Sequence, residues 1–393
     1  MAMTDFDEII DRTGTACSKW DDMEATYGVA PGDGISMWVA DMDFRPPASV
    51  QRAVEGLAAH GVYGYPGANR VYLDAIRWWM ANRHGWTVEP EWILTAHGLV
   101  NGVGICIDAL TQPGDAVILM TPVYHAFARV ARAAGREVTE FPLAEVEGEY
   151  RLDWEAWAGR MSGQERVLIL CSPHNPGGRV WSESELREVV AFCEAHDLIL
   201  ISDEIHHDLV MPGHRHHVLA RLCPEAAPRL ISLTAATKTF NIAGAHIGNI
   251  IVADEGLRRA VQGRMAALGI SPGLFGLNMV AAAYSPEGAT WVDALVRYLD
   301  GNRQVFDAGI NAIPGLCSMP LQATYLAWVD FSGTGMAVQE FTARVEKGAR
   351  IAANHGPSFG RGGESFLRFN LATPRVRVAE AVLRLREAFG DLQ

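Results

Sequence analysis

The chain is poor in the features that would staple, anchor or strongly charge it. Its six cysteines, at 17, 106, 171, 193, 223 and 317, are scattered with no CxxC pair. That spacing argues against a disulfide framework and a cysteine zinc site, and it predicts buried or free thiols in a reducing compartment. No apolar run reaches the roughly 18 residues that a bilayer span needs. The first residues, Met-Ala-Met-Thr-Asp-Phe-Asp-Glu, carry acid where a targeting segment would carry base. A cytoplasmic protein is the expectation. Basic residues are in deficit: 33 Lys and Arg against 46 Asp and Glu give a net charge of −13. With no basic patch visible, nucleic acid and an anionic membrane surface are poor partners for such a chain. Internal repeats, low-complexity runs and an obvious linker are also missing.

What remains is ordinary for a folded enzyme, with 49% apolar and 20% charged residues. A length of 393 residues allows a large domain with its own core and a smaller one packed against it. Residues 1–45 read as an arm plus a Trp38–Phe44 loop on the substrate side. From 46 to 285 helical and strand patterns alternate: Pro47–His60, Val71–His84, Leu99–Leu110 and Glu183–His196 helical, Ile93–Ala96, Ala116–Met120, Val167–Cys171 and Leu198–Ser202 extended. That alternation predicts an α/β fold, a mainly parallel mixed sheet sandwiched by helices. A long helix over Trp291–Ala312 and strands at Ala323–Asp330 and Ser365–Leu371 predict a smaller α+β unit over 286–393.

One segment carries the most chemistry. In Ser232-Leu-Thr-Ala-Ala-Thr-Lys-Thr-Phe-Asn-Ile-Ala-Gly244 a single lysine, Lys238, stands among small hydroxyl residues just after an apolar strand. This is a place for a Schiff-base lysine holding pyridoxal phosphate, or for a solvated turn residue. Two further strands empty into polar residues, Leu198-Ile-Leu-Ile-Ser202 into Asp203 and Val167-Leu-Ile-Leu-Cys171 into the Pro- and Gly-rich turn around Asn175. Ligands of open α/β sheets bind outside the carboxyl ends of the strands, so Asn175, Asp203 and Lys238 should converge there.

Met37-Trp-Val-Ala-Asp-Met-Asp-Phe44, Tyr63-Gly-Tyr-Pro66, Thr121-Pro-Val-Tyr124, His174-Asn-Pro-Gly-Gly-Arg-Val-Trp181, Ser202-Asp-Glu-Ile-His-His207 and Arg368-Phe-Asn370 follow in order along nearly the whole chain. In these motifs the chain resembles fold-type I pyridoxal-phosphate enzymes of the aspartate aminotransferase superfamily, and within them the MalY/PatB-like cystathionine β-lyase (C–S lyase) branch. The resemblance implies Lys238 as covalent anchor and base, Asp203 on the pyridine nitrogen, Asn175 on the ring oxygen and near the substrate, and Tyr124 stacked on the ring. His206 stands where many aminotransferases place a tyrosine for the same oxygen. Gly98, Leu99 and Val100 open a helix whose backbone N–H groups suit the phosphate, with hydroxyls from Thr237 and Thr234. His246 stands where many transaminases have a phosphate-binding arginine, which shifts that task toward Tyr63 or Tyr65 of a neighbouring subunit and implies a homodimer with shared sites. Arg368 resembles the arginine that grips the substrate α-carboxylate. Ala40, Asp41, Tyr65 and Asn101 are further substrate-side candidates, Asn101 equally a polar residue on a helix face.

The implied reaction is α,β-elimination of a cysteine S-conjugate or thioether amino acid. An aminotransferase, a decarboxylating or oxidative variant, and a regulatory binding protein on the same fold are the rivals. The histidines at 206, 207, 214, 216 and 217 imitate a metal set, but without a matched carboxylate or cysteine group they read as a solvated loop run, and no metal is expected.

Overall fold

The computed structural model describes residues 4–67 and 69–392. Its centre is a seven-stranded sheet in the order Ile93–Ala96, Gly248–Ile251, Leu230–Thr234, Ile199–Asp203, Glu165–Cys171, Ala116–Thr121, Glu137–Pro142. Every neighbouring pair is parallel except the two made by Gly248–Ile251, which runs antiparallel to both of its neighbours. The inner strands are apolar without alternation, Ala116–Thr121 and Leu230–Thr234 being buried at every position. Helices on both faces demand that pattern, since neither face of the sheet meets water. One crossover shows how locally it is specified. Ser182 and Glu185 form a reciprocal capping box that starts the Glu183–Ala195 helix between the strands ending at Cys171 and Asp203.

A second, antiparallel sheet has the order Cys317–Ser318, Leu326–Asp330, Phe366–Asn370, Asn354–His355. The Pro286–Ile310 helix and the Arg375–Ala388 helix accompany it. Ile35–Ser36 pairs in parallel with Ile351–Ala352, so the chain preceding the Trp38–Phe44 loop is hydrogen-bonded to the C-terminal part of the molecule. The α/β reading of the sequence holds, and the helix and strand positions agree closely. Within the central sheet two strands were not legible, Glu137–Pro142 and Gly248–Ile251. The first is a partly exposed edge strand of mixed polarity. The second is a short Gly-Asn-Ile-Ile segment with no flanking period.

Candidate active site

The carboxyl ends of the central strands open into a cavity of about 260 Å³ between the sheet and the Trp38–Phe44 loop. Lys238 lies in the short Ala236–Thr239 helix just past the Leu230–Thr234 strand. Its Nζ donates to the backbone carbonyl of Ala40 at 2.7 Å. Burial, the largest influence, brings the amine pKa down to about 8, and the Arg368 cation adds to this while Asp41 and Asp203 oppose it. The Ala40 carbonyl also accepts the Tyr325 hydroxyl at 2.9 Å. Asn370 holds the flanking carbonyls of Val39 and Asp41 through Nδ2, and Asn241 binds Met42 and Phe44. The loop that faces the lysine is thus fixed by side-chain amides rather than by secondary structure.

Asp203 ends its strand and is 5% exposed. Its carboxylate accepts from the Ile205 N–H at 3.1 Å, and burial pushes its pKa up to about 7. His206 is 2% exposed, its Nδ1 is an unpartnered buried atom, and burial reinforced by Lys238 pulls its pKa down to about 3. Asn175 is buried, and its Oδ1 accepts from Nη1 of Arg368 at 2.8 Å. Arg368 rises from the middle of the Phe366–Asn370 strand, reaches the Trp38 carbonyl and Asn354 through Nη2, and lies over the Phe359 ring at 4.9 Å. Its Nε is buried without a partner, and burial lowers its pKa to about 10.

Gly98 has φ +88° and precedes the Leu99–Leu110 helix, whose first N–H groups border the same cavity. Tyr124, Thr237, Ala40 and His246 line it as well. The residues present fit pyridoxal phosphate: an amine, a buried carboxylate, an orphaned imidazole nitrogen and a helix N-terminus suited to a phosphate share one enclosed space.

Five candidates lie elsewhere. Asn101 turns its amide oxygen back to the His97 N–H at 3.1 Å and does not line the cavity. The Asp41 carboxylate is taken by Arg12 at 2.9 and 3.0 Å. Thr234 accepts from Asn249 inside the sheet. Tyr63 and Tyr65 are surface residues, 56% and 102% exposed. The expectation of a solvated histidine run is corrected in part: His207 and His216 are buried beside Asp208 and Glu204, while His214 is exposed. Those carboxylates sat in plain view next to Asp203 and His206, but periodicity cannot tell which side of a strand end each residue takes. Tyr325, Asn370 and Phe359 escaped sequence reading because nothing local marks a core aromatic or amide as facing a site.

The chain belongs to the aminotransferase class I and II family, whose model matches residues 36–385. It is 37% identical to cystathionine beta-lyase PatB of Bacillus subtilis (strain 168), over 98% of this chain and 100% of that protein. Protein MalY of Escherichia coli (strain K12) is 30% identical, over 98% and 99%. Among solved structures, cystalysin from Treponema denticola, which contains a pyridoxal 5'-phosphate cofactor, superposes with a TM-score of 0.95 at 32% identity, covering 100% of both chains.

Proposed function

We propose that this chain is a pyridoxal-phosphate-dependent C–S lyase that cleaves a cysteine S-conjugate or thioether amino acid. The overall change is R–S–CH2–CH(NH3+)–COO− plus water to thiol RSH, pyruvate and ammonium. The observation that carries the reading is the meeting of Lys238, Asp203 and Asn175 around one cavity, with Arg368 hydrogen-bonded to Asn175. The kinship with cystathionine β-lyases along the whole chain supports it.

When bound, the cofactor supplies an electron sink for the charge that develops at Cα. Lys238 takes the Cα proton on Nζ, a role suited to an amine whose pKa lies near 8 rather than 10.5. Asp203 provides the buried carboxylate for the ring nitrogen, and Asn175 and His206 serve the ring oxygen. Arg368 binds the α-carboxylate through its planar fork. Sulfur leaves from Cβ as a thiolate, a stable leaving group because its conjugate acid has a pKa of roughly 8.5. The N–H groups from Gly98 to Val100, with Thr237 and His246, receive the phosphate.

The enzyme works as a homodimer in the cytoplasm. Val62, Tyr63, Tyr65, Val71 and Phe275 are exposed, with the Tyr63 and Phe275 rings 5.5 Å apart, which supports self-association, and no helix among the described residues is long and apolar enough to cross a membrane. In this dimer Tyr63 or Tyr65 reaches the other subunit's phosphate site. Incubation with a panel of cysteine S-conjugates, with and without a keto acid, tests the activity. Equal thiol and pyruvate without keto acid is the expected result. Turnover that requires the keto acid and yields its amino acid without thiol would make the protein an aminotransferase.

A further inference from the structure

Behind the wall that carries Asp203 and His206 lies a second polar cluster that elimination does not use. Glu204 and His207, each one step along the chain, are buried on the far side of that wall. His207 is 2% exposed, and its Nε2 lies 3.1 Å from Asp208 Oδ2, yet neither ring nitrogen makes an aligned hydrogen bond. His84, at the end of the Arg70–His84 helix, brings its Nε2 to 2.9 Å from Asp208 Oδ1. The two imidazole centroids are 4.3 Å apart. One ligand atom from each of His84, His207 and Asp208 lies within 4.8 Å of the other two. A cavity of about 540 Å³ leads to these three side chains from exposed Asn82 and His214.

From this geometry we propose that His84, His207 and Asp208 bind a divalent transition-metal ion of the zinc class. Two neutral imidazoles and a carboxylate are the donor set that such ions accept. Metal–ligand bonds of about 2.0–2.2 Å put tetrahedral ligand atoms roughly 3.3 Å apart; His84 and His207 stand 2.9 and 3.1 Å from different oxygens of Asp208, and the set as a whole lies within 4.8 Å, so a bound ion would draw both imidazoles toward one oxygen. The carboxylate is braced by the Trp79 indole N–H at 3.0 Å and the Thr239 hydroxyl at 2.9 Å, as outer partners hold a metal ligand in place. Arg83, Arg215, Arg221 and Arg297 also line the cavity; of these, Arg83 is paired with Asp293 at 2.9 Å. The open cavity leaves a fourth position for water. Such an ion would clamp the helix that ends at His84 to the strand-end segment and, through Thr239, to the turn carrying Lys238.

The test uses the holoenzyme, stripped with a chelator and re-exposed to zinc chloride alone. Metal is counted by mass spectrometry after gel filtration, and affinity is measured against a chromogenic chelator. We expect one zinc per chain, retained in a His214→Ala, His217→Ala double variant and weakened about tenfold or more in His207→Phe and His84→Asn. X-ray absorption on the wild-type zinc form should show nitrogen and oxygen neighbours with two imidazoles, a readout that survives if a variant misfolds. Substoichiometric zinc in the wild type, undiminished binding in both single variants, or loss in the surface double variant would each overturn the site.

Discussion

Arg368 donates from Nη1 to Oδ1 of Asn175 at 2.8 Å, and the two side chains arrive from different sheets. Asn175 lies in the turn after the Glu165–Cys171 strand of the seven-stranded sheet, while Arg368 sits inside the four-stranded one. In the proposed function this bond sets the carboxylate anchor against the strand-end wall that carries Asp203. A guanidinium already oriented this way loses less conformational freedom on binding an anion.

Replacing Arg368 by lysine should raise KM for the amino-acid substrate about tenfold or more, while leaving bound cofactor in place. A point charge cannot reproduce a two-pronged, charge-assisted contact worth about 1.5–3 kcal/mol. Steady-state kinetics and the visible spectrum of the same preparation measure the two effects separately. An unchanged KM would move the carboxylate site elsewhere.

Lys238→Ala should abolish the visible absorbance of the bound cofactor and lower turnover by at least about 10²-fold, with the fold intact by circular dichroism. Borohydride reduction of the wild type followed by peptide mapping should place the label on Lys238. Label on Lys19, which is fully buried and pairs with Asp43 at 3.0 Å, would refute the assignment.

Asp203 makes a pH prediction with a definite sign. Its folded pKa, about 7, stands above the ordinary 3.8, so the folded chain holds a proton that the unfolded chain has already released. That contribution to stability is complete below pH 4 and is lost as the pH rises toward and through 7. For the cofactor-free protein, urea unfolding at pH 5 and 7 should show the wild type losing a further 2–3 kcal/mol or so relative to Asp203→Asn, at about 1.4 kcal/mol per pH unit. Lys238, shifted down to about 8, acts with the opposite sign and only above this window. Parallel curves for the two proteins would show that the carboxyl is not perturbed.

The shared-site dimer predicts complementation. Lys238→Ala chains mixed with Tyr63→Phe, Tyr65→Phe chains should form hybrids in which one site has both defects and the other has neither, so activity should exceed that of either parent. Proven hybrids that recover nothing from two nearly inactive parents would confine the tyrosines to their own subunit.

The sequence disclosed the parts of the site that sit directly at strand ends. Lys238, Asp203, Asn175 and His206 each follow an apolar run, and a parallel sheet sends all such positions to one rim. It did not disclose what holds them. Ala40 was named as a substrate contact, but its carbonyl as the partner of both Lys238 and Tyr325 depends on the Asn370 amide, brought there by a different sheet. The histidine run failed for a similar reason. Whether His207 is solvated is decided by the helix that delivers His84, and no local pattern links the two. Asn101 was ambiguous between substrate and helix face; its amide oxygen accepts the His97 N–H, and it does not line the cavity.

The one reversed strand has a mechanical consequence. Because Gly248–Ile251 runs against both neighbours, the chain between Leu230–Thr234 and Gly248 begins and ends at the same rim, and Lys238 never has to share a crossover with a distant helix. At that rim Gly248 stands opposite Ala96, two residues before Gly98. A Cβ built on Gly248 would sit 2.6 Å from Leu99 Cδ2 and 3.2 Å from the Gly98 carbonyl carbon. The separation between the amine and the anion-binding helix tip is therefore gauged by a single backbone register, like the jaws of a calliper. A side chain at Gly248 would press on Leu99 and on the Gly98 backbone at that tip, which the proposed function assigns to the phosphate.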